Sequence, residues 1–252
     1  MLGHMTDEVV LGITVDDHGL DAVCGRAWLA GAVGIAEQPA SEPGRVELLV
    51  ACPPATQGAV AEALGGDPTR VDSWSPVVKR VAVDFGTSVI DLDVPANVFG
   101  DGAHPTTATC LAVLSAVVSP GQHVLDVGCG AGLLSVAAAL RGATVTAVDT
   151  WEPAVQIARA NARRNRVSDR VEVELRSIRP DDDADVVFAN IGAATLVELA
   201  PVIEAAAAGP IVLSGLLEHQ TVGVIAAYDS EVRDRRTVDG WTTVTLEGDR
   251  RA

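Results

Sequence analysis

The strongest constraint on this chain is a glycine cluster, Gly128-Cys129-Gly130-Ala131-Gly132. It lies between the apolar run "HVLDV" (123–127) and the Ala/Leu-rich run "GLLSVAAALRG" (132–142). The first run predicts a short buried strand and the second a helix ending at Gly142. Strand, glycine turn and helix open a βαβ unit, and the missing side chains of such a turn let backbone amides approach a ligand closely. The alternation then continues. "TVTAVD" (144–149) predicts strand, and "EPAVQIARANARRNR" (152–166) predicts a helix with Pro153 near its start and arginines toward its end, where helices favour them. "RVEVEL" (170–175), "ADVVFANI" (184–191) and "PIVLSGLL" (210–217) read as further strands, with a helix across "ATLVELAPVIEAAAA" (194–208). Such nearly continuous apolar strands are covered on both faces, as in parallel sheets. "EVRDRRTV" (231–238) and "WTTVTLEG" (241–248) are joined by "DG", a tight-hairpin pair, so the sheet ends antiparallel. The expected fold is α/β: a doubly wound, Rossmann-like, seven-stranded sheet with an antiparallel last strand.

The first 75 residues follow another pattern: strand "VVLGITV", helix "GLDAVCGRAWLAG", strand "AVGIAE", strand "RVELLVA", helix "ATQGAVAEALGG". That is a βαββα unit, expected to form a small N-terminal α+β domain over residues 1–75, with the larger domain over 76–252. The pattern breaks around "DSWSPVVKR", which reads as a linker. "RVAVDFGT" and "VIDLDVP" follow as short strands, and "TTATCLAVLSAVV" (106–118) as a helix. The opening "MLGHM" reads as a cloning remnant ahead of Met5.

Spacing separates the cofactors that such a loop could hold. A dinucleotide loop needs G-x-G-x-x-G/A, but counting from Gly128 puts Leu133 at the third position and counting from Gly130 puts Ser135 there. A G-x-G-x-G turn preceded by an acidic residue, Asp126, suits S-adenosylmethionine, which brings an amino-acid end and no pyrophosphate. Asp149 ends the second strand about twenty residues on, where a carboxylate can accept both ribose hydroxyls. A carboxylate there could also merely cap the following helix. Asn190 ends the fourth strand, on the carboxyl edge where ligands of open α/β sheets bind, and its side-chain carbonyl can orient a neutral amine.

"FGDGAHPTT" (99–107), "VLDVGCGAG", "AVDTWEPAVQIARANARRNRV", "DVVFANI" and "LVELAP", in that order, resemble the PrmA family, methyltransferases of a large-subunit ribosomal protein. The likeness runs from about Phe99 to Ser214, and Trp241 also matches a tryptophan of that family. It implies a class I methyltransferase sheet, S-adenosylmethionine as cofactor, and methylation of lysine or N-terminal amines. It also implies that the small N-terminal domain recognises the substrate. Cofactor contacts carry over to Thr107, Gly128, Asp149 and Asn190, with Phe99, Asp126, Gly130 and Gly132 completing the expected binding set. Phe99 to Thr107 is expected to form a flap over the methyl donor. The sequence departs from the family pattern at Asp101, Ala103 and Gly192. Asn190 is expected to position the amine, and His104 is either a proton acceptor or a residue that shapes the loop. The same core could also serve another protein or a small amine, or hold the cofactor without turnover.

Net charge decides which partners are plausible. It is -16, with Lys79 the single lysine, so a broad nucleic-acid face is disfavoured and a basic protein partner suits the chain better. The cysteines Cys24, Cys52, Cys110 and Cys129 are scattered, without the paired spacing of a zinc site or a disulfide framework. No metal is expected. No long apolar run or secretory signal is seen, so the expected location is cytoplasmic, away from membranes.

Overall fold

The computed structural model describes residues 9–16, 19–32, 34–40, 42, 44–71, 78–95, 98–100 and 102–248. "MLGHM", most of the expected linker and Asp101 lie outside these residues. The chain forms two compact units, one running to Lys79 with 95–98 added, the other comprising 80–94 and everything from Phe99.

The first unit contains β1 (Val9–Asp16), α1 (Leu20–Leu29), β2 (Gly34–Pro39), β3 (Arg45–Cys52), α2 (Gln57–Leu64) and β4 (Thr69–Arg70). The strands form a sheet in the order β2-β3-β1-β4, with β1 antiparallel to β3 and β4, and β2 antiparallel to β3. Val9, Leu11, Leu48 and Val50 from the sheet and Val23, Ala27, Val60 and Leu64 from the helices make one core. The expected βαββα order therefore gains a final strand. A two-residue strand carries too little period to be read from sequence, and it exists here because it pairs with the central β1.

The second unit opens with β5 (Val78–Phe85) and β6 (Ser88–Pro95), which pair as a two-stranded sheet. Next come α3 (Pro105–Val117), β7 (His123–Val127), α4 (Leu133–Leu140), β8 (Thr144–Asp149), α5 (Glu152–Arg164) and β9 (Val171–Leu175). The chain continues through β10 (Val186–Asn190), α6 (Ala193–Ala206), β11 (Ile211–Leu217), α7 (Thr221–Ile225), β12 (Val232–Val238) and β13 (Trp241–Leu246). The seven-stranded sheet has the order β12-β13-β11-β10-β7-β8-β9. Strands β7 to β11 pair parallel with one another, and β13 enters antiparallel between β11 and β12. The hairpin turn has both central residues at positive φ, Asp239 at 50° and Gly240 at 78°, matching the right-handed twist of the strands it joins.

Alternation along β7 and β10 sends Leu125, Val127, Val187 and Ala189 into one core with Leu196, Ala200 and Ile203 of α6. Asp126 lies on the other face, toward α4. The strand order reverses between β7 and β10, and such a switch point opens a crevice at the carboxyl ends of the strands. The glycine loop, Asp149 and Asn190 all leave the sheet at that edge, from three adjacent strands.

Candidate methyl-donor site

The loop between β7 and α4 is held from several directions. The amides of Gly128 and Cys129 donate to the Val148 carbonyl at 2.8 and 3.1 Å, and the Gly132 amide to the Cys129 carbonyl at 2.8 Å. The Gly130 amide donates to Asp149 Oδ2 at 3.0 Å, and the Ala131 amide to the Phe99 carbonyl at 2.9 Å. Every amide from 128 to 132 is thus used inside the protein. The sequence suggested amides offered to a ligand; the structure instead uses them to fix the loop's shape. Gly130, with φ at 53°, leaves room for the Phe99 carbonyl, which would lie 2.5 Å from a Cβ there.

Asp149 closes the loop from below with one oxygen and takes the Trp151 amide at 2.9 Å with the other. A carboxylate has about four acceptor positions, so each oxygen keeps capacity for a hydroxyl. Asp126 is in a different situation. Its carboxyl is buried and accepts the Ser135 hydroxyl of α4 at 2.5 Å. Burial pushes its pKa up to about 6, with the Asp149 charge adding to the rise and Ser135 opposing it. The folded form then binds this proton more tightly than the unfolded chain, whose carboxyl titrates near 3.9. The contribution of this group to stability is therefore greatest below pH 4, falls as pH rises to about 6, and is level above. Asp126→Asn keeps an acceptor for Ser135 and removes the charge. Its stability relative to the parent should rise by up to about 3 kcal/mol between pH 4 and 7, as urea unfolding would measure. A pH-independent difference would count against this account.

Phe99, Gly100 and Gly102 lie against the loop and the start of α4. Beyond the Phe99 carbonyl bond, a Cβ at Gly100 would sit 3.5 Å from Ala131, and one at Gly102 3.3 Å from Leu133. His104 is the N-cap of α3, with Pro105 beginning the helix. Its Nδ1 accepts the Thr106 amide at 3.4 Å and lies 2.7 Å from Thr106 Oγ1. Its ring stands edge-on between Phe99, 5.2 Å away, and Trp241, 4.7 Å away. One ring nitrogen is committed to the cap, which favours loop shaping over proton transfer. The Phe99 ring is half exposed.

Thr107 and Asn190 stand out for what they lack. Thr107 Oγ1 and Asn190 Oδ1 are buried with no hydrogen-bond partner. Buried polar atoms are ordinarily satisfied, and leaving one unpaired costs about 1–3 kcal/mol. Asn190 is carried by a tightly packed turn. The Ile191 amide donates to the Ser214 carbonyl at 3.2 Å, and a Cβ on Gly128 would come within 2.3 Å of Ile191 Cγ2.

Two further residues matter here that the sequence alone does not flag as functional. Ser135 binds Asp126. Asn161, on α5, is fully buried and donates to the Ala131 carbonyl at 2.8 Å. The signal for Asn161 was present: it occupies the apolar stripe of α5 with Ala154, Ala158 and Ala162, where a core residue would be expected. Burial pushes the Cys110 thiol up to about 12 and the Cys129 thiol well above the ordinary range, which disfavours the nucleophilic thiolate at both. Among the described residues no cluster of three His, Cys, Asp or Glu side chains could hold a metal, and no helix is long and apolar enough to cross a membrane.

Residues 68–248 match the family described as ribosomal protein L11 methyltransferase (PrmA). The chain belongs to the PrmA family. The ribosomal protein L11 methyltransferase of Methylococcus capsulatus (strain ATCC 33009 / NCIMB 11132 / Bath) is 44% identical over 174 residues, covering 67% of this chain and 58% of that protein. This chain spans less than two thirds of the length of the curated relatives it matches. The crystal structure of a ribosomal protein L11 methylase from Lactobacillus delbrueckii subsp. bulgaricus superposes with a TM-score of 0.60 at 25% identity, covering 71% of this chain and 91% of that one. A 16S rRNA N2 G1207 methyltransferase of T. thermophilus, solved with AdoMet and guanosine, shares the fold at a TM-score of 0.60 and 15% identity, over 95% of this chain and 64% of its own.

Proposed function

We propose that this PrmA-family chain is an S-adenosylmethionine-dependent N-methyltransferase acting on lysine or N-terminal amines of a large-subunit ribosomal protein, L11 by the name its relatives carry. The observation that carries this reading is the pair of unpartnered buried oxygens, Thr107 Oγ1 in the first turn of α3 and Asn190 Oδ1 at the carboxyl end of β10, the sheet edge that also carries the glycine loop and Asp149. Unsatisfied acceptors of this kind gain their partners when ligands arrive.

The residues fit S-adenosylmethionine. Asp149 has acceptor capacity left for two ribose hydroxyls, and a loop with all its amides spent suits a cofactor without a pyrophosphate. Phe99, Gly128, Gly130 and Gly132 would shape the wall against it, Thr107 would supply a hydroxyl, and Asp126 would act from beneath the loop. Bound there, the cofactor supplies an electrophilic methyl group on a sulfonium. The chain must then present a neutral amine in line with it and keep water out. Asn190 Oδ1 accepts an amine N–H and so aims the nitrogen lone pair. Desolvation at this edge disfavours the ammonium form, whose free pKa is near 10.4, and so raises the share of nucleophilic amine. The small N-terminal unit is assigned to substrate recognition, and the acidic chain suits a basic partner.

Incubation with methyl-labelled cofactor and a ribosomal-protein extract tests the proposal: label should enter one large-subunit protein, at amines. Label entering only small amines or another protein would move the substrate. Cofactor binding with no acceptor at all would leave a non-catalytic module. Thr107→Ala should weaken cofactor binding about tenfold by calorimetry, the value of one hydrogen bond in a buried site, and unchanged affinity would remove Thr107 from the site.

A further inference from the structure

Asn161 connects three segments that adjoin the donor site. Its Oδ1 accepts the Asp93 amide of β6 at 2.8 Å, and its Nδ2 donates to the Asp93 carbonyl at 3.0 Å and to the Ala131 carbonyl of the glycine loop at 2.8 Å. One turn later Asn165 repeats the clamp on β6: its Oδ1 takes the Asp91 amide at 2.9 Å and its Nδ2 donates to the Asp91 carbonyl at 2.8 Å. Residues two apart on a strand present their peptide groups on the same edge, and residues four apart on a helix share a face. The two asparagine side chains therefore act as a partner strand for β6. Arg164 adds an ion pair to Asp93, and Arg80 one to Asp91.

The two clamps differ in one respect. The second donor contact of Asn165 returns to its own helix, at the Asn161 carbonyl, 2.8 Å away. That of Asn161 crosses thirty residues of sequence to the Ala131 carbonyl. The amide of Ala131 is the one bonded to the Phe99 carbonyl, so Asn161 and Phe99 hold the two sides of the same residue. Gly132 packs against the same stretch of α5, where a Cβ would lie 3.0 Å from Ala158 Cβ.

We propose that Asn161 is a positioning residue for the methyl-donor loop: its buried amide sets the orientation of Ala131, and through it the seat of Phe99, without touching the cofactor itself. This rests on the assignment of the loop to S-adenosylmethionine. Asn165 supplies a matched control, because it makes the same bonds to β6 and none to the loop.

The test compares Asn161→Leu with Asn165→Leu in the full chain, with the product S-adenosylhomocysteine and S-adenosylmethionine as titrants. Both substitutions should lower the melting temperature. Only Asn161→Leu should raise the dissociation constant, by about tenfold, as expected when one buried hydrogen bond no longer holds a site in shape. Only Asn161→Leu should also speed hydrogen exchange at the Gly130 and Ala131 amides with no cofactor present. Equal changes in affinity and exchange for the two variants would overturn the proposal. Should the leucine variant fail to fold, Asn161→Ala with Asn165→Ala as its control, which removes the same side-chain bonds without added bulk or a buried charge, carries the same comparison with the same two outcomes. A parent protein that binds neither titrant would instead overturn the methyl-donor reading. In that case the exchange measurement still decides whether Asn161 holds the loop.

Discussion

Asn190→Ala is expected to lower the turnover of methyl transfer about a hundredfold while leaving the protein at least as stable as the parent. The two halves of this expectation have one cause. Asn190 Oδ1 is buried without a partner, so the folded protein already bears its desolvation, and deleting it relieves about 1–3 kcal/mol of that burden. The same deletion removes the acceptor that would aim the amine, and loss of alignment by a group of this kind costs on the order of 10²-fold in rate. Most core-edge substitutions lose activity because they lose structure; here the two should separate. Steady-state kinetics with labelled cofactor, beside a thermal melt, measures both. A variant that melts lower and turns over normally would remove Asn190 from the amine's path.

Gly130→Ala should do the opposite, costing structure and binding together. At φ 53° an L-residue costs roughly 1–2 kcal/mol in backbone strain, and the new Cβ would lie 2.5 Å from the Phe99 carbonyl oxygen. That oxygen has to move, which strains or breaks its bond to the Ala131 amide and adds about 1 kcal/mol. A total of about 3 kcal/mol corresponds to a fall of roughly 6–12 °C in melting temperature for a domain of this size. Because the displaced segment carries Thr107, cofactor affinity should fall with it. Gly121→Ala isolates the strain: φ there is 84°, but nothing lies within 4 Å of the added carbon. It should cost only the backbone term and leave cofactor affinity alone. Equal losses in the two variants would mean that the contact with Phe99 contributes nothing.

Much of the candidate site's framework was legible because its geometry is local. The turn after β7 announces itself by three glycines within five residues, and all three adopt positive φ. Asp149 and Asn190 could be found by position, since each ends an apolar strand and parallel strands present their carboxyl ends together. The hairpin at Asp239-Gly240 was set by its dipeptide. Less was legible wherever a group's partner lies far along the chain. The amides of 128–132 read as free donors, yet they are satisfied by Val148, Asp149, Phe99 and Cys129. Asp126 read as a member of the binding loop, yet alternation along β7 turns its carboxyl under α4 to Ser135.

By itself the sequence determined the elements, their order, the parallel core with its antiparallel end, the glycine turn and the family. Hydrophobic period, turn chemistry and motif spacing are all properties of neighbouring residues. Tertiary structure decided the rest: the insertion of β13 between β11 and β12, the pairing of β4 with β1, the role of His104 as a helix cap between two aromatic rings, and the bonds of Asn161 to residues 30 and 68 positions away. A buried polar group must find a partner, but which one it finds depends on the segments that packing brings beside it, and no local period encodes that choice.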